Sequence, residues 1–210
     1  MFDLIYQEVM NGMDMAKASH DADHTLRVLK MARHIATIEK AKTDVVEYAA
    51  LLHDIGREEE IQSRGKLNHA QIGANMATEI LTKHGLDDAF IQHIAECIRT
   101  HRAKSKVIPG SIEAKVVYDA DKLDAIGAIG IARTFVFAGE IGARVHNADV
   151  DIYKTKSYTK EDTAYREYML KLRYLKDKLY TDEGRRIALE RSKFMDEFFK
   201  RLNAEVEGLQ

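Results

Sequence analysis

The chain has 210 residues, enough for one substantial core, and its 45% hydrophobic and 31% charged content is that of a globular protein. Lys and Arg total 32 against 34 Asp and Glu, a net charge of −2, which gives no support to a binder of nucleic-acid backbones. A single cysteine, Cys97, excludes an internal disulfide framework and fits a reducing cytosol; no secretory signal and no run near the ~20 apolar residues of a membrane span is visible, so the expected compartment is cytoplasmic.

One proline and no tryptophan suit long helices more than a sheet of short strands. Phe2, Ile5, Val9 and Met13 predict a helix within residues 1–18. Ser19 to Asp23 offers N-caps for a longer helix to about Ile38, striped by Val28, Met31, Ile35 and Ile38. Four places back along that stripe lies His24, and four further His20. Asp44 with Glu47 forms a capping-box pattern for the next helix, which runs through Val46, Ala49, Ala50, Leu51 and Leu52 into His53-Asp54. Gly56 is placed to close it as a left-handed cap, and Glu58 to Leu67 reads as a polar loop. Asn68 with Gln71 opens a helix that turns Ile72, Met76 and Ile80 inward and stops at Gly85; His69 points along the same face. Asp87 or Asp88 starts another, with Phe90, Ile91, Ile94 and Ile98 inward and His101 continuing the row.

After a loop over 102–111, Ser111 caps a helix through Val116, Val117, Ala120 and Leu123 towards about Phe137. It carries Asp121 and, three residues on, Asp124; Gly127 and Gly130 read as points of close helix approach. From Gly139 to about Thr159 there is no clear period, which predicts a long, mobile loop of the kind that often carries function. Tyr153 and Tyr158 with Lys154 and Lys156 are its candidates for clamping a base and its phosphates. Two amphipathic helices, near 160–180 and 182–205, finish the chain, the second with Ile187, Phe194, Phe198 and Leu202. The expectation is one all-α domain over 1–210, with a core at about 19–137 and C-terminal helices at about 160–205 packed on it.

Burying His53 and Asp54 side by side without partners is costly, so a positive group must sit against them, and a metal ion is the economical candidate. His24, His53, Asp54, His69, His101 and Asp121 fall on the inward faces of five predicted helices. A lone histidine on such a face is ordinarily a core residue; five helices each delivering a ligand-type side chain form a pattern. Imidazole nitrogen mixed with carboxylate oxygen, without thiolate, suits Mn²⁺, Fe, Zn²⁺, Co²⁺ or Ni²⁺, and a bundle core is a usual place to build such a site.

These residues resemble the HD-domain metal-dependent phosphohydrolases, whose signature is H…HD…D. The matching stretches are Asp23-His24-Thr25-Leu26-Arg27-Val28, Leu51-Leu52-His53-Asp54-Ile55-Gly56, and Asp119-Ala120-Asp121-Lys122-Leu123-Asp124. The resemblance covers about 19–137, and the chain looks like the small bacterial and archaeal HD hydrolases, some of which are similar to deoxynucleoside-triphosphate pyrophosphohydrolases. It implies an HD-domain helical bundle with a metal site in its core. His24, His53, Asp54 and Asp121 would be ligands to a divalent ion, manganese first and Fe, Zn, Co, Ni or Mg otherwise, with one or two ions per chain. Asn68-His69-Ala70 and Arg99-Thr100-His101 look like the places where binuclear members put extra histidines, so His69 and His101 either bind a second metal or hydrogen-bond a phosphate.

Such a site suits hydrolysis by a metal-activated water. Asp54 is expected both to bind metal and to orient the water, with Glu58 a second candidate base. Arg27, Arg57, Lys122 and Arg102 are candidate substrate-binding cations, each weighed against a solvated surface charge. Asp124 and His20 are candidates to support the ligands from behind. The expected activity is hydrolysis of a (deoxy)nucleoside triphosphate to the monophosphate and pyrophosphate. A 5′-nucleotidase and a non-catalytic, metal-bearing nucleotide sensor are the alternatives. The expected partner is a small-molecule nucleotide, with no membrane and no stable nucleic-acid partner; a homodimer is left open. Cyclic-dinucleotide hydrolysis is disfavoured because no Gly-Tyr-Pro follows His53-Asp54.

Overall fold

The computed structural model describes residues 1–12, 22–102 and 107–209. In chain order its helices are α1 Phe2–Gly12, α2 Ala22–Glu39, α3 Thr43–Leu52, α4 Arg57–Gln62, α5 His69–Lys83, α6 Asp88–Thr100, α7 Ile112–Leu123, α8 Gly127–Glu140, α9 Ala164–Leu170 and α10 Asp182–Val206. Short 3-10 turns lie at Ile152–Lys154 and Leu172–Lys178, and no strand occurs among the described residues. The fold is all-α. The chain divides into two compact units, one of Met1–Asp121 with Tyr180–Gly184, the other of Lys122–Leu179 with Arg185–Gln210.

In the first unit α3 is central. It packs against α2, α6, α1 and α5. Val45, Val46, Tyr48, Ala49, Ala50, Leu51 and Leu52 are all buried, so the helix is covered on nearly every side. The capping box expected at Asp44 does not form. The N-cap is Lys42, Asp44 accepts from the neighbouring Val45 amide, and Glu47 instead takes Arg33 Nε at 2.7 Å. At the far end Gly56 has φ −89°, so it is not a left-handed cap. A Cβ there would stand 2.6 Å from both Gly73 N and His69 O. Glycine is needed for close approach: it lets the His53–Gly56 turn lie against the start of α5. The segment after it, expected as loop, is the short helix α4.

Helix α7 is capped by Ser111, whose hydroxyl accepts from the Ala114 amide at 3.2 Å. Asp119, wholly buried on α7, accepts from Tyr180 N at 2.9 Å and from Thr181 N and Oγ1 at 2.7 and 2.6 Å, which ties the 180–184 segment to the first unit.

The long helix expected from Ser111 to about Phe137 is broken. Ile126 is extended (φ −129°, ψ 164°), Gly127 is left-handed (φ +80°), and α8 starts there. Gly130 serves its own turn, because a Cβ would meet Ala125 O at 2.3 Å, whereas Gly127 faces the Arg191 side chain of α10 as the sequence suggested. In the second unit the segment between α8 and α9 is pinned rather than loose. Buried Asn147 donates to Glu161 O and accepts from Thr163 Oγ1, Arg144 pairs with Asp149 at 2.7 Å, and Arg166 pairs with Asp162 at 2.6 Å. Tyr153 and Tyr158 are exposed on it, the latter edge-on to Phe137.

Candidate metal centre

Five elements deliver six side chains to one place in the first unit. His24 stands in the first turn of α2, His53 and Asp54 in the turn after α3, His69 at the start of α5, His101 at the end of α6, and Asp121 in the last turn of α7. All but the half-buried Asp121 are buried. Asp54 is the middle of the set. Its Oδ2 lies 3.8 Å from both His24 Nε2 and His53 Nε2, and its Oδ1 lies 3.5 Å from both His69 Nε2 and His101 Nε2. On the Oδ2 side the His24 and His53 Nε2 atoms are 3.3 Å apart and His24 Nε2 is 3.5 Å from Asp121 Oδ1. On the Oδ1 side His69 and His101 bring their Nε2 atoms to 3.2 Å.

The outer ring nitrogens define which atoms face inward. His53 Nδ1 is 2.8 Å from Ala50 O and His101 Nδ1 is 2.6 Å from Ile98 O. A carbonyl only accepts, so each Nδ1 carries the proton and each Nε2 presents a lone pair to the cluster. His69 Nδ1 lies 2.8 Å from Glu60 Oε2 and 3.2 Å from Arg57 Nη1; the carboxylate is the nearer and also takes Arg57 Nη1 at 3.1 Å, so Nδ1 is assigned the proton here too. Burial holds the His53 imidazole neutral, lowering its pKa to about 4, and burial with the Arg57 charge lowers His69 to about 4. Lone pairs and carboxylate oxygens thus converge at 3.2–3.8 Å. Ligands held at about 2.1 Å from one ion stand about 3 to 3.4 Å from each other, so the donor set fits a divalent cation in chemistry and in scale. Two of the triads, His24-His53-Asp121 and His53-Asp54-His101, each keep their ligand atoms within 4.8 Å of one another.

Part of the positive partner expected from a metal is protein. Arg57 reaches Asp54 with Nη2 at 2.8 Å from Oδ1 and 3.0 Å from Oδ2, and its Nη1 lies 3.1 Å from Glu60 Oε2. Arg102 Nη2 reaches Glu60 Oε1 at 2.7 Å. Glu58, the sequence candidate for a base, is exposed and bonded to Gln62 on the outside of α4. The carboxylate beside the cluster is Glu60, which sequence reasoning missed. Arg57 and Glu60 share a face at i,i+3 spacing, a signal readable only once α4 is known to be helical. Arg27 is half-buried one turn beyond His24. Lys122 and Asp124 fall in the second unit, where Asp124 is buried and accepts from Arg133 Nη1 at 2.7 Å. His20 lies outside the described residues. Of the remaining histidines, His34, His84 and His93 pair with Glu183, Glu8 and Glu113 in the first unit, and His146 with Asn203 in the second.

A helical fold with a buried His/Asp cluster of this kind defines a metal-dependent phosphohydrolase class. The sequence matches the HD domain over residues 21–126, and the chain belongs to that family. It is 36% identical to the uncharacterized protein YpgQ of Bacillus subtilis (strain 168) over 91% of this chain and 87% of that one. Among solved structures, the crystal structure of Bacillus subtilis YpgQ in complex with ADP is similar at a TM-score of 0.77 and 30% identity, covering 100% of both chains. An HD-superfamily hydrolase from Bacillus thuringiensis is similar at 0.74 and 26% identity, covering 99% of both. The chain is therefore an HD-superfamily hydrolase, a metal-dependent phosphohydrolase. No helix among the described residues is long and apolar enough to cross a membrane.

Proposed function

We propose that the substrate is a nucleotide, and that a (deoxy)nucleoside triphosphate is hydrolysed to the monophosphate and pyrophosphate. Water adds to the α-phosphorus, and the bond from that phosphorus to the oxygen bridging to the β-phosphate breaks. The observation that carries the reading is the six-residue ligand cluster with the guanidinium of Arg57 against it, supported by a full-length relative that binds ADP. His24, His53, Asp54 and Asp121 would hold one cation. His69, His101 and the other oxygen of Asp54 are read as a second cation seat. Binding phosphate directly would require Nε2–H donors, and the nearest Nδ1 partner of each imidazole, Glu60 Oε2 at 2.8 Å and Ile98 O at 2.6 Å, opposes that tautomer. When bound, a divalent ion, manganese first among the candidates, draws charge from phosphoryl oxygens and acidifies water.

The protein's own part is positional. Asp54, fixed by two-pronged contact with Arg57, orients the attacking water. Arg57 and Arg102 offer guanidinium donors to phosphate oxygens, and Arg27 and Lys122 are further candidates. The test is product analysis over a panel of nucleotides and divalent ions that resolves phosphate from pyrophosphate. Pyrophosphate with monophosphate is the expected pair. Inorganic phosphate released from monophosphates would move the assignment to a 5′-nucleotidase, and nucleotide binding without turnover under any ion would move it to a sensor.

A further inference from the structure

The three histidines with assigned tautomers satisfy their outer nitrogen in two different ways. His53 and His101 each follow the C-terminus of a helix, α3 and α6. The last turn of a helix has carbonyls left out of its i→i−4 ladder, and each ring uses the one three residues back, Ala50 O and Ile98 O, the latter also accepting from the His101 amide at 3.4 Å. His69 has no such carbonyl to use. It is the first residue of α5, and a helix N-terminus offers unpartnered N–H groups and a positive dipole. An imidazole there that is to turn a lone pair inward needs an acceptor brought from another element. That acceptor is Glu60, from α4, with Oε2 2.8 Å from His69 Nδ1; Arg57 Nη1 stands 3.2 Å from the same nitrogen, but it has Glu60 Oε2 to donate to at 3.1 Å, which leaves the shorter contact to the ring proton.

Glu60 does more than touch one ring. Oε2 also lies 3.1 Å from Arg57 Nη1, and Oε1 lies 2.7 Å from Arg102 Nη2. The carboxylate is only 12% exposed, so it is not an open surface ion pair with its small and screened effect. It joins a candidate ligand histidine to two candidate phosphate-binding guanidiniums, one of which holds Asp54.

We propose that Glu60 is a positioning residue of this site: it takes the Nδ1–H of His69, so that the Nε2 lone pair faces His101 and Asp54, and it fixes Arg57 and Arg102 beside them. The proposal rests on reading the His69–His101–Asp54 group as a cation seat. A carboxylate behind a ligand imidazole also makes that imidazole a better donor, and loss of such a partner ordinarily weakens metal binding by about 10–100-fold.

The test uses the full chain labelled with ¹⁵N-histidine, with His69 identified by the signal that His69→Gln removes. Wild type should show His69 protonated on Nδ1. Glu60→Gln should keep that tautomer, because the amide oxygen still accepts. Glu60→Ala should shift it to Nε2–H and weaken Mn²⁺ binding, measured by calorimetry, by about 10–100-fold. A wild-type His69 carrying its proton on Nε2 overturns the proposal without any variant, so a poorly folded Glu60→Ala does not shelter it. Mn²⁺ affinity in Glu60→Ala within twofold of wild type also overturns it. Neither readout depends on turnover. Failure of every nucleotide to react would remove the proposed activity while leaving the tautomer and the affinity to be judged on their own.

Discussion

His53 is held neutral by complete burial, and that has a consequence for stability against pH. Its pKa is about 4 in the folded chain against 6.5 ordinarily, so between those values the unfolded chain binds more protons than the folded one. The metal-free protein should therefore lose stability as the pH falls from about 6.5 to about 4, by on the order of 3 kcal/mol from this residue, and no further below that window. Urea unfolding of chelator-treated protein at a series of pH values checks this; a flat profile across the window would remove the claim. The same neutrality makes His53 a ready ligand. His53→Ala and Asp121→Ala are each expected to lose stoichiometric metal in elemental analysis, while His34→Ala, whose partner is Glu183 at 2.7 Å, should retain it. The inward placement of the candidate ligands was legible in the sequence because helical spacing puts His24, His53, His69, His101 and Asp121 on inward faces. Glu60 was not, since its phase is set by a six-residue helix inside a polar stretch with no buried residue to mark it.

At the scale of elements, the contact that brings the His53–Asp54 turn to His69 is backbone on backbone. Gly56→Ala would put a methyl 2.6 Å from Gly73 N and His69 O, neither of which can rotate away. The expected cost is about 1–3 kcal/mol of stability, as for overpacking elsewhere. It should come with weaker Mn²⁺ binding, because any retreat of α5 carries His69 away from Asp54. Gly12→Ala, with open space around its Cβ, should change stability by less than about 0.5 kcal/mol. Equal effects in thermal melts would show that Gly56 is not a packing requirement. The sequence marked Gly56 as special but for the wrong reason, since a close approach between segments distant in sequence has no local signature. The break between α7 and α8 was hidden likewise: Val116 to Phe137 keeps a helical period throughout, and the left-handed Gly127 against Arg191 is what divides it. Long helices ending at a strong stop, such as α5 at Gly85 with φ +72°, were read correctly because cap and period agree there.

For the whole molecule, composition pointed to an ordinary globular protein and the near-neutral charge gave no support to a binder of nucleic-acid backbones, while the helical class followed from helical period with the single proline and the absence of tryptophan. The choice of base and sugar did not, because those contacts come from residues that share no spacing rule. How far the site and the rest of the chain act together is open to a direct measurement. The whole ligand cluster lies in the first unit, yet α7 and α10 each supply residues to both units. The chain passes from one unit to the other after Asp121, at Tyr180 and after Gly184, so neither unit is continuous in sequence, and one cooperative transition is expected. A cation that binds only the folded state at 100 times its dissociation constant stabilises by about 2.7 kcal/mol. For a chain of 210 residues that is a rise in Tm of about 5–10 °C. Calorimetry with and without Mn²⁺ should therefore show a single transition that moves as a whole. Two transitions, of which Mn²⁺ moves only one, would mean that the second unit melts independently of the metal centre and that the chain is two domains rather than one.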